Sequence, residues 1–492
     1  MPEKPPSPYV DMDADEFRRH GRALVDWIAD YLEQSARPVL SKVKPGDIRR
    51  ALPPAAPEQP ESFDDIFMDF QRILLPGVTH WNHPGFFAYF ATTGSAPGVL
   101  AEFLAAALNV QAMLWRTSPA ATELEEVVLS WLRELIGLPA TFEGVIYDTA
   151  SISSLHALAA ARDMRVPRVM ELGLADRADV TPLCVYCSEQ AHSSIDKAVM
   201  LIGLGQASLR RIPTDEQFRM RPDMLRAAIA RDRADGRTPM AVVATVGTTS
   251  TTSVDPVEAI AEICARESVW LHVDAAYAGV AAIIPEMRHI LRGAEHADSL
   301  VVNPHKWLFT PFDLSAFYCR RMDVVRAAFS VIPEYLKTAE AGQARNLMDT
   351  GIQLGRRFRA LKLWMVLRYF GAEGIRSRLA EHMRLARLFA QWVDEDDDFE
   401  RLAPVPFSVV CFRARPRHGS WPEASLDQLN ERLLDDVNAS GEVFLSHTRL
   451  DGRFVIRLAV GHLRTTEHHV RRAWEILLDR AGRLASTPAP GS

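Results

Sequence analysis

Asn303-Pro304-His305-Lys306-Trp307 places a lysine almost directly after the apolar run 300–302. An ammonium at the end of a buried strand is costly to desolvate. The physical exceptions are a lysine neutralised by burial or condensed with an aldehyde, and the ordinary alternative is an exposed loop lysine. His272-Val273-Asp274-Ala275-Ala276-Tyr277-Ala278-Gly279 ends a second apolar run in a carboxylate, followed by small residues that let a flat ligand approach. Standing alone, Asp274 reads as a helix N-cap. Asp148-Thr149-Ala150-Ser151 joins the run 144–147 to a helical stretch. Such residues at a helix start offer free N–H groups and the positive dipole end to a phosphate, or they form a plain capping turn.

Together the three segments fit pyridoxal 5′-phosphate. That cofactor needs a lysine for its aldehyde, a carboxylate for its pyridine nitrogen and an anion cradle for its phosphate. A carboxylate beside the ring nitrogen raises its pKa by roughly 1–3 units, so the ring stays protonated and can accept electrons released at a substrate Cα. His192, in Ser188-Glu189-Gln190-Ala191-His192-Ser193-Ser194, follows the run 183–187 and can stack on the ring. Without the other three segments it reads as a surface histidine. Cys184 and Cys187 share one strand at an odd separation, which puts their thiols on opposite faces. No second Cys pair or His pair accompanies them, so no metal site is expected. Gly203-x-Gly205 lacks a third glycine, and no Walker A sequence is present. Arg356-Arg357-Phe358-Arg359 taken alone reads as an ion-paired helix face.

These segments need a scaffold, and the hydrophobic pattern supplies one over residues 84–385. Short β-rich runs at 144–147, 183–187, 241–246, 269–273, 300–302 and 316–318 alternate with helical stretches such as 122–135, 152–164, 222–230 and 256–267. The alternation predicts an α/β fold with a mostly parallel central sheet flanked by helices. Ligands then bind beyond the C-terminal ends of the strands. Residues 1–83 form an N-terminal helical segment: Phe17, Leu24, Ile28 and Tyr31/Leu32 recur at helical spacing, Asp13 can cap them, and a proline-rich linker at 53–60 precedes a short helix at 63–73. Its apolar stripe is too small for an independent core, so it is expected to lie across another lobe or another subunit. Residues 386–492 form a small C-terminal α+β domain, with strands at 407–412, 443–445 and 454–458 and a closing helix at 468–484.

Composition limits the partners. The 492 residues are 48% hydrophobic and 24% charged, which is ordinary for a globular chain. A net charge of −7 gives no cationic excess for nucleic acid. Five cysteines cannot staple so long a chain and point to a reducing cytosol. The N-terminal residues show no apolar signal region, and the most apolar stretch, 275–284, is about half a membrane span. A cytoplasmic protein with no membrane or nucleic-acid partner is expected.

In combination, the Lys306 and Asp274 motifs, Gln190-Ala191-His192-Ser193-Ser194 and Leu354-Gly355-Arg356-Arg357-Phe358-Arg359 resemble those of the group II pyridoxal-phosphate decarboxylases, above all the aromatic-L-amino-acid decarboxylases. The resemblance runs from about Asp13 to the region of Trp474. It implies the aspartate-aminotransferase fold (fold type I) of the PLP-dependent transferases. It also implies an obligate homodimer, with the active site at the subunit interface and the N-terminal helices packed across the partner. By that resemblance Lys306 forms the internal aldimine, Asp274 pairs with the pyridine nitrogen, His192 stacks on the ring and Ala276 packs on its other face. Ala150, Ser151 and His305 hold the phosphate, and Thr149, Thr248 and Asn303 join the cofactor contacts. Tyr335, in Ile332-Pro333-Glu334-Tyr335-Leu336-Lys337, falls on the family's catalytic tyrosine.

The reaction implied is decarboxylation of an aromatic L-amino acid, of the tryptophan, DOPA, tyrosine or phenylalanine type. It passes through the Lys306 aldimine and a quinonoid to an arylalkylamine and CO₂. The alternatives are an aldehyde synthase, which couples decarboxylation to oxidative deamination, and a decarboxylase of a non-aromatic amino acid. Aldehyde synthases often replace the tyrosine by Phe or the stacking histidine by Asn; this chain keeps both Tyr335 and His192. Trp81, Tyr89, Phe90 and Thr92 match the family's substrate wall, or serve as ordinary core. Gly355 is the small residue found in aromatic decarboxylases. Met113 stands where the family has an aromatic contributed by the partner subunit. Asp148 replaces a common Gly, Ile152 a common Glu, and Thr350-Gly351-Ile352 the usual Trp-Gln-Ile. These departures imply a substrate pocket that is larger or differently shaped.

Overall fold

The computed structural model describes residues 11–33, 36–331 and 344–485. Seven strands build the central sheet: β1 (Glu143–Tyr147), β2 (Leu183–Ser188), β3 (Leu209–Ile212), β4 (Thr238–Thr245), β5 (Trp270–Asp274), β6 (Ser299–Val302) and β7 (Ser315–Cys319). Their order is β1-β7-β6-β5-β4-β2-β3. β7 alone runs against its neighbours, and the remaining pairings are parallel. The segments that follow β1, β2, β4, β5 and β6 therefore leave from one edge of the sheet. β3 is the strand the sequence pattern misses: Leu209-Arg210-Arg211-Ile212 is a short edge strand with two arginines, without the apolar run of a central strand.

Helices cover both faces, so β2, β5, β6 and β7 are buried along their whole length. Alternate residues feed opposite layers: Ile146, Val242, Ala244 and Val273 on one side, Val145, Val185, Val243 and Trp270 on the other. Cys184 and Cys187 divide between these layers as their odd separation requires. Each fully buried aliphatic contributes about 1.5–3 kcal/mol relative to exposure, so the sheet is a rigid platform.

The first helix, Ala14–Glu33, is capped as expected: Asp13 Oδ1 accepts the N–H groups of Asp15 at 2.9 Å and Glu16 at 2.8 Å. The helix Ala360–Glu395 runs from the central sheet past residue 385, where the C-terminal domain was expected to begin. It bends at Gly371, whose φ of 63° and ψ of 170° interrupt the helical path in a region glycine tolerates. Beyond it lies an antiparallel sheet of order β10-β11-β9-β8, made of β8 (Phe399–Arg401), β9 (Val409–Ala414), β10 (Ser446–Leu450) and β11 (Arg453–Ala459). Among the described residues, no helix is long and apolar enough to cross a membrane.

Two expectations need correction. Residues 443–445 are not a strand; Phe444 makes one isolated parallel bridge to Phe86, and β10 begins at Ser446. The apolar run is buried by packing on Phe86 rather than by a ladder. The arginines of 356–359 are ion-paired but not helical, since the helix starts at Ala360. Arg356 pairs with Glu125 at 2.7 Å, Arg357 with Glu102 at 3.1 Å and Arg359 with Asp313 at 2.8 Å.

Candidate active site

Five strand ends converge. β5 ends in Asp274, which is buried and whose Oδ1 accepts the Ala276 N–H at 3.1 Å. β6 leads into the turn Pro304–Trp307, which carries Lys306. The neighbouring strand ends are stitched together, with Ala275 N–H donating to Val301 O at 3.0 Å and Asn303 N–H donating to Ala276 O at 2.9 Å. Burial pushes the Lys306 amine below the usual lysine range, and the nearby Asp274 carboxylate opposes that shift. Among the described residues, however, no ion pair within 4.0 Å joins them. A charge pair that interacts without touching leaves a gap between amine and carboxylate.

His192 follows β2. Its Nδ1 accepts the Ser194 N–H at 3.1 Å and lies 2.9 Å from Ser194 Oγ. Because a backbone N–H only donates, Nδ1 is unprotonated and the neutral ring carries its hydrogen on Nε2. Burial also lowers its pKa; Asp274 acts against that shift and Lys306 with it. The residue nevertheless keeps part of its surface exposed, as a face available for stacking must. Thr248 follows β4 in a turn opened by Gly247, at φ +90°, where an added Cβ would meet Ala278 Cβ at 2.6 Å. Thr248 Oγ1 is fully buried between Thr251 Oγ1 and the Ser253 N–H, both at 3.0 Å.

β1 delivers the anion cradle. Thr149 precedes the helix Ala150–Arg165, and Ile152 and Ser153 N–H bond to its carbonyl at 3.1 Å. Among the described residues the Ala150 and Ser151 N–H groups have no acceptor, and the Ser151 side chain is exposed. The helix is pinned from below by Ser154 Oγ on His272 Nε2 at 3.1 Å and by Ser153 Oγ on Ser315 Oγ at 2.8 Å. His305 Nδ1 accepts the Leu314 N–H at 2.9 Å, leaving Nε2 as its donor; burial holds its pKa down at about 3.

The substrate-wall residues separate into two groups. Phe90 stacks on Tyr277 at 3.8 Å, Tyr277 stacks on Trp307 at 4.9 Å, and Trp307 Nε1 donates to His382 Nδ1 at 2.9 Å. The Lys306 amine lies 5.5 Å from the Phe90 ring centroid, which makes Phe90 a wall of the gap. Tyr89 stacks on Trp81 at 5.7 Å; both expose ring surface, and Thr92 follows on the same segment, partly buried. Met113 and Gly355 lie elsewhere. Met113 O accepts the Met348 N–H at 3.1 Å, and a Cβ on Gly355 would meet Gln111 Nε2 at 3.2 Å. No described hydrogen bond, ion pair or ring contact joins them to Lys306 or Asp274. Tyr335 lies outside the described residues.

Two charged groups that sequence reasoning passed over support the site. Glu125 Oε1 accepts the Ile146 N–H at 2.8 Å, and Arg356 Nη2 donates to Ile146 O at 3.0 Å. This buried ion pair holds the end of β1 just before the cradle. Arg457 on β11 is 3% exposed and donates to Thr249 O at 2.8 Å, Ser250 O at 2.9 Å and Ser446 Oγ at 3.1 Å. Its guanidinium also lies 5.5 Å from the Phe90 ring centroid. Through those bonds the small sheet positions the Thr248 turn and the Phe90 wall. The signal was an arginine inside the apolar run Phe454-Val455-Ile456-Arg457-Leu458-Ala459. Misplacement of about 1 Å at a reacting centre costs on the order of 10²-fold in rate, so Arg457→Met is expected to lower kcat/KM by about that factor. Arg457→Lys should recover part of the loss in steady-state kinetics.

The residues fit pyridoxal 5′-phosphate on observations independent of motif. Among the described residues, Asn303 Oδ1 is a buried polar atom with no hydrogen-bond partner, and the Ala150 and Ser151 N–H groups are likewise open. The Lys306 amine and the Asp274 carboxylate interact without forming an ion pair within 4.0 Å among the described residues, and Ala276, bonded to Asp274 through its N–H, carries only a methyl group there. Lys306 would hold the aldehyde carbon, Asp274 the ring nitrogen, and Ala150, Ser151 and His305 the phosphate.

Comparison with known proteins agrees. Residues 45–415 match the pyridoxal-dependent decarboxylase conserved domain. Tryptophan decarboxylase 2 of Oryza sativa subsp. japonica is 42% identical over 485 residues, covering 96% of each chain. Phenylacetaldehyde synthase of Arabidopsis thaliana is 42% identical over 484 residues, covering 96% of this chain and 97% of that protein. The crystal structure of Oryza sativa TDC with PLP and tryptamine superposes with a TM-score of 0.93 at 38% identity, over 97% of this chain and 99% of the other. With its lysine, carboxylate and phosphate cradle on the matching scaffold, the chain belongs to the pyridoxal-dependent decarboxylase family.

Proposed function

We propose that this chain removes the α-carboxylate of an aromatic L-amino acid and releases the arylalkylamine and CO₂. The observation that carries the reading is the unpaired approach of Lys306 to Asp274 beside the Phe90 ring, at the edge where five strands end. A tryptophan decarboxylase among the relatives and tryptamine in the superposed structure support an aromatic substrate.

When bound, the cofactor supplies an electron sink for the pair left at Cα as CO₂ departs. Lys306 is made less basic by burial, which favours its nucleophilic form. Asp274 keeps a negative charge where the ring nitrogen must stay protonated. His192 presents a neutral ring face, and the Phe90–Tyr277–Trp307 stack excludes water from the side of the amine. Tyr335 is the proposed proton donor to Cα, since a phenol of pKa about 10 is protonated at neutral pH.

An aldehyde synthase activity is the second reading, favoured by the 42% identity to phenylacetaldehyde synthase. Retention of His192 and Tyr335 favours the amine. Purified protein given tryptophan, 5-hydroxytryptophan, DOPA, tyrosine and phenylalanine should release CO₂ and amine in equal amounts, without ammonia or peroxide. In the same assay Tyr335→Phe is expected to divert product to aldehyde and peroxide; unchanged product ratios would contradict the donor assignment.

A homodimer in the cytoplasm completes the proposal. Phe17, Val25, Leu100 and Phe103 are exposed and line an apolar cavity of about 570 Å³, and Leu104 and Leu108 are exposed further along the same helix as Leu100. Apolar patches of this kind mark interfaces. Met113 and Gly355, which do not contact Lys306, suit a site completed by a second copy. All five cysteines are free and buried, which supports a reducing compartment.

A further inference from the structure

Asp148 sits at the mouth of the phosphate cradle, and its bonds run into the cradle. Oδ1 accepts the Thr149 N–H at 2.6 Å and lies 3.3 Å from Thr149 Oγ1, so the carboxylate already holds one donor at the helix start. Oδ2 accepts Gln353 Nε2 at 3.2 Å, which ties the side chain to the segment before Gly355 and keeps it from swinging away. No Lys, Arg or His nitrogen among the described residues lies within 4.0 Å of it. The next two N–H groups, of Ala150 and Ser151, have no acceptor among the described residues. An uncompensated carboxylate therefore shares a turn with the donors meant for a phosphate that carries nearly two negative charges at neutral pH.

We propose that Asp148 is a resident counter-anion of the cradle: it occupies the Thr149 N–H and opposes the phosphate's charge, so this chain holds its cofactor more loosely than the cradle alone would allow. The inference rests on the pyridoxal 5′-phosphate reading and adds a residue that tunes occupancy rather than chemistry. A purely structural cap would behave differently, because removing it would loosen the turn for any ligand that uses the site.

The charge can be tested apart from the turn. Apoprotein of the wild type, Asp148→Asn and Asp148→Gly is titrated with pyridoxal 5′-phosphate and with pyridoxal, which has the same ring and aldehyde but no phosphate. Visible absorbance reports binding, and thermal unfolding reports integrity. Asp148→Asn is expected to bind the phosphorylated cofactor about tenfold more tightly, a change of about 1.4 kcal/mol. Its affinity for pyridoxal should stay within about twofold of wild type by the same arithmetic. Asp148→Gly should move in the same direction, and both variants should retain cofactor longer through dialysis. Unchanged affinity for the phosphorylated form, or an equal shift for both ligands, would overturn the inference while leaving the cofactor assignment intact. If the wild type develops no Lys306-dependent absorbance with either ligand, the cofactor reading fails and takes the inference with it.

Discussion

Lys306→Ala is expected to reduce CO₂ release by at least about 10³-fold at saturating cofactor and to abolish the visible band of bound pyridoxal 5′-phosphate. The expectation follows from position as much as from chemistry. Burial lowers the amine's pKa, so its neutral, nucleophilic form costs less than it would for a solvated surface lysine. Lys197, on the helix that follows His192, acts electrostatically on that ring, so the variant also tests whether a neighbouring amine can substitute. Retained phosphate contacts should let Lys306→Ala still bind cofactor weakly, which separates loss of covalent capture from loss of the site. Absorbance spectra and single-turnover CO₂ release check both parts.

Asp274→Asn is expected to leave the fold intact and cut kcat by about 10²–10³-fold. An anionic partner raises a base's pKa by roughly 1–3 units, and each unit is worth about 1.4 kcal/mol, so a neutral amide forfeits the protonated ring. A second effect has a definite sign. Asp274 is the group that raises the Lys306 pKa against burial, so its loss lets that pKa fall further. The acid limb of cofactor capture by apoprotein should then move to lower pH, because the amine stays neutral further into acid. A variant with a normal rate or an acid limb moved upward would contradict the assignment.

Much of this site was legible because its chemistry sits at the ends of apolar runs. The runs ending near Tyr147, Cys187, Val246, Val273 and Val302 mark strands buried on both faces, and a parallel sheet gathers their following residues at one edge. That is why the segments of Lys306, Asp274, His192 and Ala150 could be grouped from the sequence, whereas Thr248 entered only through the family resemblance. β3 escaped because an edge strand carrying Arg210 and Arg211 has no apolar signature. Residues 443–445 misled because burial against Phe86 looks like a strand in a one-dimensional pattern. Arg457 and Glu125 were invisible for a related reason: their importance lies in bonds to the distant backbone of Thr249, Ser250 and Ile146. No local spacing encodes those partners. Met113 and Gly355 were read as substrate residues; their described contacts are with Met348 and Gln111, and none of these joins them to Lys306 or Asp274.

The central claim is that Lys306 is the amine that covalently captures the cofactor's aldehyde. Protein saturated with pyridoxal 5′-phosphate, reduced with sodium borohydride and mapped by peptide mass spectrometry tests it most directly. The account predicts one stoichiometric phosphopyridoxyl addition, on the peptide containing Lys306. No addition, or an addition on another lysine with Lys306 unmodified, would contradict it.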